Sequence, residues 1–275
     1  MKTIMTMLGF SILGLVLCFT ASAGGLDDFA GKKGTIAIAG GTAHIPVMKK
    51  AARAIMTANP DIRITIAGGG SGVGIQKVGE GLVDIGNSGR KPSDAEVAGY
   101  GLVLFPFAVD GVATVIHAGN PVAGLTSAQV RNIFAGRIRN WKDVGGPDAT
   151  INLYTRDEAS GTRAVYWKKL LNKGPVAVKA NVVPSNGAMK SAVSRDPYGI
   201  GYVSIGHLDK TVKAPKLDGV AVNQQTAMDG AYPVVRKLYM VTKGRPTGIV
   251  KAFVDYVTGP EGVQFITSSG FIAIQ

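Results

Sequence analysis

Strands alternating with helices along the whole chain predict an α/β protein with mostly parallel sheets. One local plan, seen three times, carries the prediction: an apolar strand, a glycine turn with a hydroxyl, then a helix start. It occurs first at Thr35–Ala39, where Gly40-Gly41-Thr42-Ala43-His44 leads to Pro46 and an apolar face of Val47, Ala51, Ala54, Ile55 and Ala58. It returns at Ile62–Ile66, where the isoleucines alternate with Arg63 and Thr65 before Gly68–Gly70 and Ser71. Ser71 stands where a helix N-cap should stand, with Ile75, Val78 and Leu82 following at helical spacing. The third instance is the strand Ile151–Thr155, the turn Arg156–Arg163 and a helix through Tyr166, Trp167, Leu170 and Leu171.

The intervening chain fits the same class. A strand over Leu82–Ile85 ends in the donor-rich turn Asn87-Ser88-Gly89-Arg90. Capping boxes at Ser93–Glu96 and Thr126–Gln129 open two helices, the second ended by Gly136. Leu102–Phe107 and Gly111–His117 read as strands joined at Asp110-Gly111. Asn186-Gly187 begins a helix, Tyr198–Tyr202 turns into a strand, Lys237–Thr242 is a late strand, and Ile249–Val257 marks a final helix. No repeat period or low-complexity segment interrupts them.

Met1–Ala23 reads as a cleaved signal peptide: Lys2 gives the positive start, Ile4–Phe19 is largely apolar, and Ala21-Ser22-Ala23 suits cleavage after Ala23. A periplasmic location follows. Cys18 is the single cysteine, so the mature chain would hold no disulfide, thiolate metal site or cysteine nucleophile. Lys and Arg number 30 against 18 Asp and Glu. The basic residues are scattered, without a block of five, and aromatics are sparse, so nucleic acid is not the expected partner. A field favouring small anions is the milder inference.

Most enzyme signatures fail. Gly-x-x-x-x-Gly-Lys-Ser/Thr is missing, and Val73 breaks both Gly-x-Gly-x-x-Gly and Gly-x-Ser-x-Gly around Ser71. His44, His117 and His207 are widely spaced and form no metal-ligand pair. Helix starts with hydroxyls at Thr42, Ser71, and Ser160 with Thr162 remain, beside Ser88 and the charge of Arg156. A helix cap accounts for each hydroxyl alone, but the adjoining glycines expose backbone amides, and such amides suit a tetrahedral oxyanion.

The chain resembles the phosphate-binding proteins of bacterial ABC transporters (the PstS family, shorter type) across essentially all of its mature length. The resemblance rests on GGTA at 40–43, GGGSG at 68–72, DIGNSGR at 84–90, RDEASGTR at 156–163 and GIGYV at 199–203. It implies a type II periplasmic binding protein, two α/β domains joined by two crossing strands with the ligand cleft between them. Domain I would comprise 24–111 and 235–275, and domain II 112–234. The crossings would be Phe105–His117 and Tyr232–Thr242. It further implies a monomeric, non-enzymatic receptor for inorganic phosphate, without cofactor or metal, that serves a membrane permease. Carried over by position, the ligand contacts are Thr42, Ala43, Ser71, Gly72, Ser88, Gly89, Arg156, Ser160, Gly161 and Thr162. Glu158 would pair with Arg156 behind them. Gly89 departs from the family's longer members, which place there an aspartate that accepts the phosphate proton. Receptors for sulfate, molybdate or tungstate are therefore the alternatives. From another class the alternative is a serine hydrolase on Ser160 or Ser71, with no histidine placed to activate either.

Overall fold

The computed structural model describes residues 24–274, so the expected signal peptide at Met1–Ala23 lies outside the described residues. A short 3-10 turn over Leu26–Phe29 precedes β1 (Gly34–Gly40) and α1 (Ile45–Ala58), with Pro46 in the first helical turn. Val47, Met48, Ala51, Ala52 and Ile55 are buried on one face of α1. Then come β2 (Ile62–Gly69), α2 (Ser71–Gly79), β3 (Ile85–Ser88) and α3 (Asp94–Tyr100). Strand β3 begins where the expected strand ends, and Leu82 lies exposed in the preceding turn.

The expected break at Asp110-Gly111 is absent: β4 runs unbroken over Leu102–His117. A partner strand supplies the physical reason, because Asp110 and Gly111 lie opposite Arg236 and Val235 in an antiparallel ladder. There follow β5 (Gly124–Leu125), α4 (Ser127–Phe134), β6 (Asn152–Arg156), α5 (Gly161–Lys169), β7 (Asn181–Val183), α6 (Asn186–Arg195) and β8 (Gly199–Ser204). After the minor strands β9 (Val212–Lys213) and β10 (Lys216–Leu217) come α7 (Gln224–Met228) and β11 (Val235–Lys243). Helix α8 (Gly248–Thr258) gives way at Gly259-Pro260 to α9 (Pro260–Thr267), which the sequence pattern had not announced, and β12 (Ile272–Ala273) ends the described chain.

The large sheet runs β2-β1-β3-β11-β4-β8-β6-β7, with β12 and β9 added on β4. It is mixed rather than mostly parallel. Strands β1, β2 and β3 are mutually parallel, as are β6, β7 and β8, but β11 and β4 run antiparallel to their neighbours. Core side chains fall mainly into two clusters. One gathers Phe29, Ile36, Val47, Ile64, Phe107, Leu238, Phe253 and Phe271. The other gathers Val112, Phe134, Trp141, Tyr166, Tyr202, Tyr232 and Val234. Strand β4 contributes to both; β11 gives Leu238 and Met240 to the first, and its Val235 packs against the second.

Close backbone approach sets α2 on the sheet. A Cβ added at Gly74 would stand 2.6 Å from the Asn87 carbonyl and 2.9 Å from that of Ala39. Gly74→Ala should therefore lower the denaturant midpoint, because overpacking costs about 1–3 kcal/mol. On helix propensity alone, the same change would gain about 1 kcal/mol. A midpoint that rises would show that the α2–sheet contact is loose.

Candidate functional site

The C-terminal ends of β1, β2, β3 and β6 converge on one small cavity, the usual position for a ligand in an open α/β sheet. Gly41, Thr42 and Ala43 line it after β1, Gly70 and Ser71 after β2, and Gly89 after β3. Arg156, Ser160, Gly161 and Thr162 line it from β6 and the start of α5. Eight of the ten sequence-predicted contacts thus come together. Among the described residues the lining holds no carboxylate.

Local structure assigns each hydroxyl a direction. Ser71 is not the cap of α2; Gly70, at φ +91°, occupies that position, and the Ser71 Oγ instead accepts from the Gly89 amide at 2.9 Å. Ser160 is a true N-cap, accepting from the Arg163 amide at 3.2 Å. The Thr42 Oγ1 accepts from the Asn186 amide at 3.2 Å and from its Nδ2 at 3.0 Å. The Thr162 Oγ1 accepts from Arg236 at 3.1 Å and from Asn186 Nδ2 at 3.4 Å. A hydroxyl has two lone pairs, so each of these threonines has only its proton left to offer. The Asn186 amide orientation is fixed in turn, because its Oδ1 accepts from the Ser204 backbone N–H. First-turn amides of α5 add further donors without helical partners.

Arg156 supplies charge from the wall. Its side chain is only 2% exposed; NH2 donates to the Pro184 carbonyl at 2.9 Å, while Nε and NH1 have no partner among the described residues. Burial lowers its pKa from the ordinary guanidinium value, opposed by Asp157. Glu158, expected to pair with Arg156, instead faces solvent and pairs with Arg163 at 3.6 Å. The neighbouring Asp157 is the acid whose charge Arg156 feels.

Two other expected contacts lie outside the lining. The Gly72 amide donates to the Ala159 carbonyl at 3.0 Å, tying α2 to the loop before α5. The Ser88 hydroxyl donates to the Arg90 carbonyl at 2.6 Å, closing its own turn. Arg90 is held by Glu96 at 2.7 and 2.8 Å, which lowers the Glu96 pKa to about 2. His44 is fully buried and donates to the Tyr239 carbonyl, outside the cavity.

Sequence reasoning missed Arg236, Asp110 and Asn186. Arg236 lines the cavity from β11, its Nε and NH2 bound to Asp110 at 2.8 and 2.7 Å. Its only trace in the sequence is the cation pair Arg236-Lys237 within the otherwise largely apolar crossing strand expected over Tyr232–Thr242.

Residues 29–261 match the PBP superfamily domain. A phosphate-binding protein PstS of Bacillus subtilis is 34% identical over 245 residues, covering 88% of this chain and 81% of its own. The chain belongs to the PstS family. PstS of Pseudomonas aeruginosa PAO1 is 30% identical, covering 78% of this chain and 75% of its own. Among solved structures, a Clostridium perfringens substrate-binding protein of the phosphate ABC transporter type, with bound phosphate, superposes at TM-score 0.83. It is 33% identical and covers 88% of this chain and all of its own. An ABC-type phosphate transport receptor from Vibrio cholerae, 31% identical, superposes at 0.69 over 86% of this chain and 99% of its own. The type II binding-protein fold of the PstS family is therefore the fold of this chain.

The buried imidazoles make stability depend on pH. Burial, then the charge of Arg236, lowers the His44 pKa from 6.5 to about 3. Burial likewise lowers that of His207 to about 4, against its hydrogen bond to the Thr42 carbonyl. Both folded values lie below the unfolded one, so this stability is complete above about pH 6.5 and is lost as pH falls toward 3–4. The melting temperature should fall through that window, and less steeply in His44→Gln; an unchanged acid slope in that variant would remove His44 from the account.

Proposed function

We propose that this protein is an extracytoplasmic receptor that binds inorganic phosphate and delivers it to an ABC transporter permease. The buried Arg156 carries the reading. A guanidinium with unpartnered N–H groups, on the wall of a carboxylate-free cavity, is costly unless an anion accepts from it. A compact tetrahedral oxyanion matches the remaining donors: the hydroxyls of Thr42, Ser71, Ser160 and Thr162, and the first-turn amides beside them. Each charge-assisted hydrogen bond contributes about 1.5–3 kcal/mol. Micromolar affinity requires about 8 kcal/mol, so several such bonds suffice.

The two-domain division at 24–111 with 235–275 and at 112–234 fits this role. The buried residues of the second core cluster all fall within 112–234, and β4 and β11 run between the two clusters. An anion touching residues from both halves favours the closed arrangement, whereas binding to one half alone would give no such bias. Hydrolysis has no comparable support, since the hydrogen-bond partners of Ser71 and Ser160 are backbone amides rather than histidines. The monomeric state and the permease partner belong to the same proposal.

Calorimetric titration of the purified chain with inorganic phosphate should give saturable binding, and Arg156→Gln should weaken it at least about tenfold. Sulfate and molybdate, titrated in parallel at the same pH, report on the other oxyanions. No heat with phosphate sinks the reading.

A further inference from the structure

The cavity holds a second arginine that nothing in the sequence pattern announced. Arg236 is 8% exposed and is fixed from three sides. Its Nε and NH2 meet the Asp110 carboxylate, NH1 donates to the Gly89 carbonyl at 3.2 Å, and NH2 also donates to the Thr162 hydroxyl. A guanidinium has five N–H donors, and these bonds engage four, leaving one on NH1 among the described residues. Gly89 makes the position available. A Cβ there would stand 2.6 Å from Arg236 NH1 and 2.9 Å from its Cζ, so any side chain at 89 would compete with the guanidinium for the same space.

Asp110 anchors the arginine rather than facing the cavity. Its Oδ1 accepts from the Ser204 hydroxyl at 2.9 Å and the Ile205 amide at 3.2 Å, and its Oδ2 is engaged by Arg236. The carboxylate is buried and absent from the cavity lining. Two guanidinium groups therefore face the cavity, with no carboxylate to accept a ligand proton.

Given the phosphate reading, on which this inference rests, we propose that Arg236 is a direct cationic ligand and makes the site select by charge, taking dianionic oxyanions over monoanionic ones. Asp110 is its positioning residue, and Gly89 is the gap that admits it. Selection by charge replaces selection through a carboxylate acceptor.

The charged and titratable groups around the pair are few. Arg156 on β6 and Asp157 beside it, His44 before α1 and His207 after β8 face it from the neighbouring elements. Both histidines titrate well below neutrality. Arg90, Lys91, Lys168, Lys169 and Lys237 line the adjoining cleft that shares Arg236. Phosphate changes charge near neutral pH, and the Asp110 carboxyl, raised by burial and held down by Arg236, is removed from the comparison in the Asp110→Asn variant.

The test is calorimetric titration of the full mature chain with inorganic phosphate, on the acid side, where phosphate is a monoanion, and on the alkaline side, where it is a dianion. The wild type should bind at least about tenfold tighter on the alkaline side, the size expected of one added charge-assisted bond. Arg236→Gln alone would leave Asp110 buried without its partner, so the variant of choice is Arg236→Gln with Asp110→Asn, a neutral hydrogen-bonding pair. It should lose at least about tenfold for the dianion and much less for the monoanion, so that the preference collapses. Arg236→Lys, which keeps the charge, should retain the preference. A folded double variant that keeps the wild-type preference overturns the inference, as does a wild type with equal affinity on both sides. Absence of phosphate binding under both conditions would strike the phosphate reading instead.

Discussion

The ion pair between Asp110 and Arg236 is the contact on which the arrangement of the site depends. It joins the two long strands that pass between the core clusters, directly across their antiparallel ladder. From that point Asp110 reaches Ser204 and Ile205 at the end of β8, and Arg236 reaches Gly89 and Thr162 on opposite sides of the cavity. Desolvation opposes such a pair, and its net contribution to stability is small unless the remaining donors and acceptors are satisfied. Here nearly all are. Its value lies in fixing where the strands, the third turn and the α5 start stand relative to one another.

Asn186 does a related job without charge. Its backbone and side-chain donors converge on Thr42, its side chain also reaches Thr162, and its carbonyl oxygen is held by Ser204. Together Asn186 and Arg236 occupy the lone pairs of two hydroxyls from different segments and turn their protons outward. A cavity whose polar groups are pre-set as donors needs no reorganisation when an anion arrives.

Glycine acts at this site through close approach. A side chain at Gly70 would meet the Ala159 carbonyl at 2.7 Å, where the loop before α5 packs against the start of α2. The Gly72 amide donates to that same carbonyl, so the GGGSG segment joins the two halves of the cleft as well as lining it. Position 72 therefore contributes by holding the walls together. Ser88 likewise holds the third turn in shape through Arg90 rather than facing the cavity.

The sequence by itself determined the α/β alternation, the three strand–glycine–helix units and most of the residues that line the cavity. Those features are local: apolar period, glycine conformation and hydroxyls at helix starts are written within a few consecutive residues. The mixed direction of the sheet, the unbroken β4 and the roles of Asp110, Asn186 and Arg236 were decided only by tertiary structure. Asp110-Gly111 carries the composition of a turn, and it is extended because a strand over a hundred residues away pairs with it. Glu158 and Asp157 are adjacent in sequence, yet one faces solvent beside Arg163 while the other acts on Arg156. Partners so distant in the chain, and directions so different for neighbours, are set by packing, which no short stretch of sequence contains.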